Sequence, residues 1–224
     1  ENKLLDTIPD IHEKITPEGL NSVIQTGPFS GYSVLYILTR SVKGIEVLSK
    51  VDPKLVSQLA LNGMVSLPIP GYSALTYLAG LETGRPLLEK MIDSGVIVDS
   101  RTLNHIIDQG HRRGISVLFW LAESATGRPI LQKIINRGVT IDSKALNHII
   151  EQESKRGESA LYYLAGNETG RLILEKLINN GVRIDSKTLT RIIEQAPDRG
   201  LSALYFLAIS EYGLGILQKM IDSD

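Results

Sequence analysis

The chain of 224 residues has no cysteine, which excludes disulfides and thiolate metal sites and says nothing firm about compartment. It has no excess of charge either: 24 basic residues against 25 acidic ones leave a net charge of −1, too little for bulk attraction to nucleic acid or an anionic membrane. No apolar run approaches the ~20 residues of a membrane span, and no secretory leader is visible at Glu1. Gly-x-Ser-x-Gly, phosphate-binding loops and the metalloprotease motif are missing, so the familiar catalytic signatures are too. What remains is an ordinary folded composition, 42% hydrophobic and 22% charged.

The strongest positive signal is a repeat. Gly71, Gly114, Gly157 and Gly200 stand 43 residues apart and each opens a close copy of one pattern, complete from Gly157 to Arg199, while Gly31 opens a looser copy. A fixed period of this length with helical patterning marks units that bury their apolar faces against the next unit. The expectation is an all-α, right-handed solenoid of about five 43-residue three-helix repeats forming a single repeat domain over 1–224. Its parts are a partial repeat (1–30), an irregular one (31–70), three regular ones (71–113, 114–156, 157–199) and a partial one (200–224). The cut repeats at both ends read as an excised piece of a longer protein.

Within a regular repeat, helix A follows Gly-x-Ser, with Ser73, Ser116, Ser159 and Ser202 as N-caps, and ends before Gly84, Gly127 and Gly170. Helix B is amphipathic, with Leu174, Leu177 and Ile178 opposite Glu175 and Lys176, and Gly95, Gly138 and Gly181 close it. Helix C starts at Asp99, Asp142 or Asp185 and is expected to carry Leu103, Ile106 and Ile107 or their equivalents. Turns at Gln109-Gly110 and Ala196-Pro197 lead onward. In the first partial repeat Leu4-Leu5 aligns with Leu87-Leu88, and Thr16 and Pro17 start a helix. The irregular repeat is three residues short, keeps Gly44 and Asp52-Pro53-Lys54-Leu55, and leaves through Leu67-Pro68-Ile69-Pro70, read either as a tolerated variation of loop length, which is preferred, or as a rigid loop that changes the curvature.

Ser159-Ala160-Leu161-Tyr162-Tyr163-Leu164-Ala165 resembles the T-P-L-H-L-A-A of ankyrin repeats, and Gly170 through Val182 resembles that family's second helix. The match recurs at Ser73, Ser116 and Ser202 and covers helices A and B. Two extra residues follow helix A, helix B is one shorter, and the family's proline and histidine are replaced. The remaining extra length over the family's about 33 residues is read as helix C, where ankyrin repeats have a β-hairpin finger. Divergent arrays of this character occur in translocated effectors of intracellular bacteria. The resemblance implies a cytoplasmic protein, in the host cytoplasm if it is such an effector.

Positions that vary between repeats are the candidate partner-binding residues, because packing does not fix them. Before helix A these are Tyr32, Tyr72, Ile115, Glu158 and Leu201; at its far end they are Leu81, Glu82, Glu123, Ser124, Asn167, Glu168, Ser210 and Glu211. The resemblance places such residues on a concave face, here with an acidic edge. Two aromatic rows run along helix A: Tyr36, Phe119, Tyr162 and Tyr205, and one step on Tyr77, Trp120, Tyr163 and Phe206. Adjacent helical residues point about 100° apart, so one row is core and the second is shared between core and groove; packing is the preferred reading of these rings, against an aromatic binding stripe.

Arg85, Arg128 and Arg171, each in a Thr-Gly-Arg triplet, are secondary candidates. They can form a ladder for phosphate or carboxylate, or cap the carbonyls of helix A; capping is the preferred reading. Asn21, Asn104 and Asn147 suggest an amide ladder bonding neighbouring backbone. His105 and His148 have no third ligand for a metal, and Asp142, Ser143 and His148 have triad composition without triad geometry, Ser143 and His148 lying on different helix faces. Arg112-Arg113, Lys155-Arg156 and Arg199 read as a solvated rim. The expected function is protein binding along an elongated face, as scaffold or targeting arm, with no catalysis, cofactor or metal in this chain. The rivals are an accessory domain presenting substrate to an enzyme outside the chain, and recognition of nucleic acid or phospholipid through the arginines.

Overall fold

A computed structural model of the chain describes residues 11–26, 30–65, 71–152, 155–194 and 197–222. The Leu4-Leu5 alignment, the Leu67-Pro68-Ile69-Pro70 loop and Ala196 of the last turn lie outside these residues. Among the described residues regular structure is helical throughout, with one isolated antiparallel bridge between Val23 and Ser33. None of these helices is long and apolar enough to cross a membrane. Packing divides the chain into two compact units, residues 1–102 and 103–224.

The first unit contains α1 (Pro17–Asn21), α2 (Val34–Thr39), α3 (Val42–Ser49), α4 (Gln58–Asn62), α5 (Ala74–Gly80) and α6 (Arg85–Asp93), with short 3-10 turns at Ile11–Lys14 and Pro53–Leu55. α7 (Ser100–Asn104) carries the division after its third residue. The second unit continues with α8 (Val117–Glu123), α9 (Gly127–Asn136), α10 (Ser143–Asn147), α11 (Ala160–Ala165), α12 (Glu168–Asn179), α13 (Ser186–Thr190), α14 (Ala203–Ala208) and α15 (Glu211–Asp222). Helix A of each repeat is thus α2, α5, α8, α11 and α14, and helix B is α3, α6, α9, α12 and α15.

Serine starts every helix A. The hydroxyls of Ser33, Ser73, Ser116, Ser159 and Ser202 each accept from the amide three residues on, at 3.0–3.1 Å, satisfying donors that the helix itself leaves open. Helix B packs against helix A at its own first turn. A Cβ on Gly127 would lie 2.6 Å from the Leu121 carbonyl oxygen, and one on Gly44, Gly84, Gly170 or Gly213 would come within 2.0–2.8 Å of the main chain of the preceding helix A. Glycine there is a packing requirement, beyond the helix break expected from sequence. Gly138, at the end of α9, has φ 87°, the left-handed conformation anticipated for it.

The third helix is shorter than expected. It is a five-residue turn, and Ile106 and Ile107 lie beyond it. The Ile107 N–H donates to the Ile115 carbonyl, and the Gly114 N–H returns to the Ile107 carbonyl. This two-bond clasp recurs at Ile24 with Gly31 and Tyr32, Val65 with Gly71 and Tyr72, Ile150 with Gly157 and Glu158, and Ile193 with Gly200 and Leu201, at 2.7–3.1 Å. A single helical turn gains few bonds for the residues it fixes, so burying the isoleucine with its main chain paired is the better solution. Ile107 and Ile150 are both fully buried.

Asparagine ties each helix C to the next repeat. The Asn147 amide donates to the Arg183 carbonyl (2.8 Å) and its oxygen accepts from the Asp185 N–H (2.8 Å). Asn104 does the same with Thr140 and Asp142, and Asn21 with Leu55 and Ser57. Asn62 makes the same pair of bonds to Ile97 and Asp99. That identifies α4 as helix C of the irregular repeat.

Candidate functional site

The rings of helix A sort into the two expected rows. Tyr36, Phe119 and Tyr162 are buried, while Tyr77, Trp120, Tyr163 and Phe206 are half-buried. Tyr205, the last of the first row, is 47% exposed where Tyr162 is 4%. In the second unit neighbouring helices interlock edge to face: Phe119 meets Tyr163 at 5.5 Å, and Tyr162 meets Phe206 at 5.4 Å. In the first unit Tyr36 meets Tyr77 at 5.6 Å. Such pairs add about 0.5–1.5 kcal/mol beyond the area they bury.

Around Trp120 and Tyr163 the second unit gathers charge. The Tyr163 hydroxyl donates to Glu158 Oε2 at 2.8 Å. Lys155 Nζ pairs with Glu123 and lies 3.7 Å from Glu158 Oε2. The same ammonium stands 5.3 Å from the Phe119 ring centre and 5.6 Å from that of Trp120, within cation–π range. Arg112 lies 5.5 Å from the Trp120 ring centre. The Trp120 indole nitrogen is shielded and has no hydrogen-bond partner. Burial pushes the Glu158 carboxyl above its ordinary value, against the lowering effects of the Tyr163 hydroxyl and the Lys155 charge. The Tyr163 hydroxyl is pushed up by burial and then by its bond to Glu158.

The candidate partner-binding residues separate accordingly. Glu123 and Glu158 are brought together on Lys155. Tyr72 and Ile115, 1% and 3% exposed, do not belong to a binding surface. Each carries the acceptor carbonyl of a clasp and packs inward, so a varying residue here is a varying core residue, as is the buried Tyr32. Asn167 caps α12 by accepting from Gly170 N–H at 2.8 Å, and Ser124 accepts from Gly127 N–H at 3.2 Å; their exchange between repeats is the exchange of one capping residue for another. Leu81 is half-buried at the end of α5, whereas Glu82, Glu168 and Glu211 are exposed.

The arginines cap helix A. Arg85 Nε donates to the Ala79 carbonyl, Arg128 Nη1 to those of Ala122 and Glu123, and Arg171 Nη1 to that of Ala165, all at 2.9–3.0 Å. Of the basic rim, Arg113, Arg156 and Arg199 are exposed, but Arg112 and Lys155 turn onto the rings. Sequence reading missed Lys155 as a member of the site. The signal was available: Arg112 and Lys155 stand 43 residues apart, so a cation recurs at one register position and becomes Asp198 in the next repeat.

Two shallow depressions lie elsewhere. One, about 580 Å³, is lined by Ile106, Asp108, Arg113, His148, Glu151 and neighbouring residues; the other, about 500 Å³, by Gln58, Leu59, Asn62, Arg101 and others. His148 is half-buried there, and burial, followed by the charge of Lys144, holds its imidazole below the ordinary value. Among the described residues no three His, Asp or Glu side chains gather at metal-binding distance. No family model matches the chain, and neither a curated protein nor a solved structure does.

Proposed function

We propose that the chain is a protein-binding module: a solenoid of ankyrin-like helix pairs, acting as scaffold or targeting arm, that holds a partner on the face built from its helices A and clasped loops. The observation that carries this reading is the half-buried second aromatic row with charged groups around it at Trp120 and Tyr163. Half-exposed aromatic side chains beside polar groups offer large contact area at low entropic cost, the composition of interface hot spots. Recognition of phosphate or nucleic acid through Arg85, Arg128 and Arg171 is less favoured, since these guanidinium groups already bond helix A carbonyls. Presentation of substrate to an enzyme outside the chain would use the same face.

The test replaces Trp120, Glu123 and Glu168 with alanine together, leaving the buried Tyr72 and Ile115 untouched. Native and variant chains, both shown folded by circular dichroism, are compared by mass spectrometry for what they capture from a eukaryotic cytosolic lysate. A protein retained by the native chain and lost by the variant is the expected result. Identical capture overturns the assignment of this face.

A further inference from the structure

We propose that the seat formed by Glu123, Glu158, Phe119 and Trp120 is a binding site for the ammonium of a partner's lysine side chain, with Lys155 as the tethered occupant that the partner's lysine displaces. The inference rests on the protein-binding reading above and names the chemistry of the contact.

The seat has the features an alkylammonium needs. Two carboxylates face one ammonium, Glu123 in contact and Glu158 at 3.7 Å. Two ring faces flank it at 5.3 and 5.6 Å. The Tyr163 hydroxyl fixes Glu158 in place, so the site is arranged whichever ammonium fills it. Lys155 reaches it from a loop between α10 and α11, through a flexible four-carbon stem, and its side chain keeps 21% of its exposure. The Glu123 and Glu158 side chains keep 25% and 15% of theirs, so the carboxylates are partly accessible to solvent. Exchanging one ammonium for another conserves charge inside a partly desolvated site, whereas emptying it would leave two carboxylates facing each other. A guanidinium is planar and broader than the compact ammonium now in place.

Competition from Lys155 sets the expected behaviour. A tethered group acts at an effective concentration on the order of millimolar, so a lone lysine side chain binds the native chain weakly and the vacated site more tightly. Trp120 is the sole tryptophan and sits in the seat, so its fluorescence reports occupancy directly. The full chain is titrated with Nα-acetyl-lysine methylamide, and with its Nε-acetylated form as the neutral control. Lys155→Ala is expected to give a saturable change with a Kd about twofold or more below that of the native chain, the factor that a tethered competitor at millimolar effective concentration imposes on millimolar binding, and the neutral control none. Adding Glu123→Gln and Glu158→Gln should abolish it. Should Lys155→Ala lose its helical circular dichroism, Lys155→Met, which keeps the stem over the rings, is read in its place. An unsaturable response in the folded variant, an equal response to the neutral probe, or persistence after both glutamine substitutions overturns the proposal. Since no partner is involved, such a failure leaves the lysate comparison standing on its own.

Discussion

Gly127 and Gly138 differ in what an added methyl group would meet. At Gly138 nothing lies within 4 Å, and the cost of Gly138→Ala is the left-handed φ alone, about 1–2 kcal/mol. At Gly127 the new Cβ would press on the main chain of Leu121, which has no rotamer to move away. Gly127→Ala should lower stability by about 1–3 kcal/mol in urea unfolding followed by circular dichroism, and Leu121→Ala should not rescue it, because the clash is with backbone. Glu158 and His148 give opposite pH signatures. Glu158 holds its proton more tightly when folded, so its contribution to stability is fullest below the ordinary carboxylate range and is lost as pH rises through the raised value. Glu158→Gln should remove that decline in Tm. His148, flanked by Lys144, Glu151 and Asp108, takes its proton less readily when folded; its contribution is complete above the ordinary 6.5 and fades as pH falls below it. His148→Gln should flatten the acid limb of the Tm profile.

The asparagine that links one helix C to the next repeat makes the sharpest prediction at the scale of elements. Asn147→Ala removes bonds to the Ser143 and Arg183 carbonyls and from the Asp185 N–H. At a net 0.5–1.5 kcal/mol each, partly exposed, the loss should be about 1–3 kcal/mol, with faster hydrogen exchange at the Asp185 amide than at the Ser159-capped start of α11. Much of this level was legible in sequence. Ser116, Ser159 and Ser202 are caps, Arg128 bonds helix A, and the asparagines form a ladder, because each of these roles is set by a short local spacing. Helix C was overextended because Leu103, Ile106 and Ile107 fit a helical period as well as they fit a buried turn followed by a clasp. Nothing local reveals that the Ile107 amide pairs across eight residues. Tyr72 and Ile115 were misassigned for a related reason: variation between repeats reads as freedom, although a core position can vary as long as its neighbours do. Lys155 escaped notice because its partner Glu123 lies 32 residues away.

Over the whole molecule, each of the two compact units holds its own buried leucines and isoleucines, among them Leu35, Leu61 and Leu75 in the first and Leu118, Leu146 and Leu161 in the second. A chain beginning at Asp99, which keeps α7 and the Asp99 bond to Arg101 N–H, should therefore fold alone. Helical circular dichroism and a shielded Trp120 emission would check this; an unfolded spectrum would refute it. The clasps bear on how such a chain can change. Each loop is pinned at its base by the same two main-chain bonds, which no side chain supplies, and the pair at Val65 and Tyr72 persists across a span one residue shorter than that at Ile107 and Ile115. A one-residue change of loop length is thereby accommodated without loss of the clasp. Insertions and deletions between Ile107 and Gly114 can accumulate, or be grafted deliberately, while the scaffold stays in register.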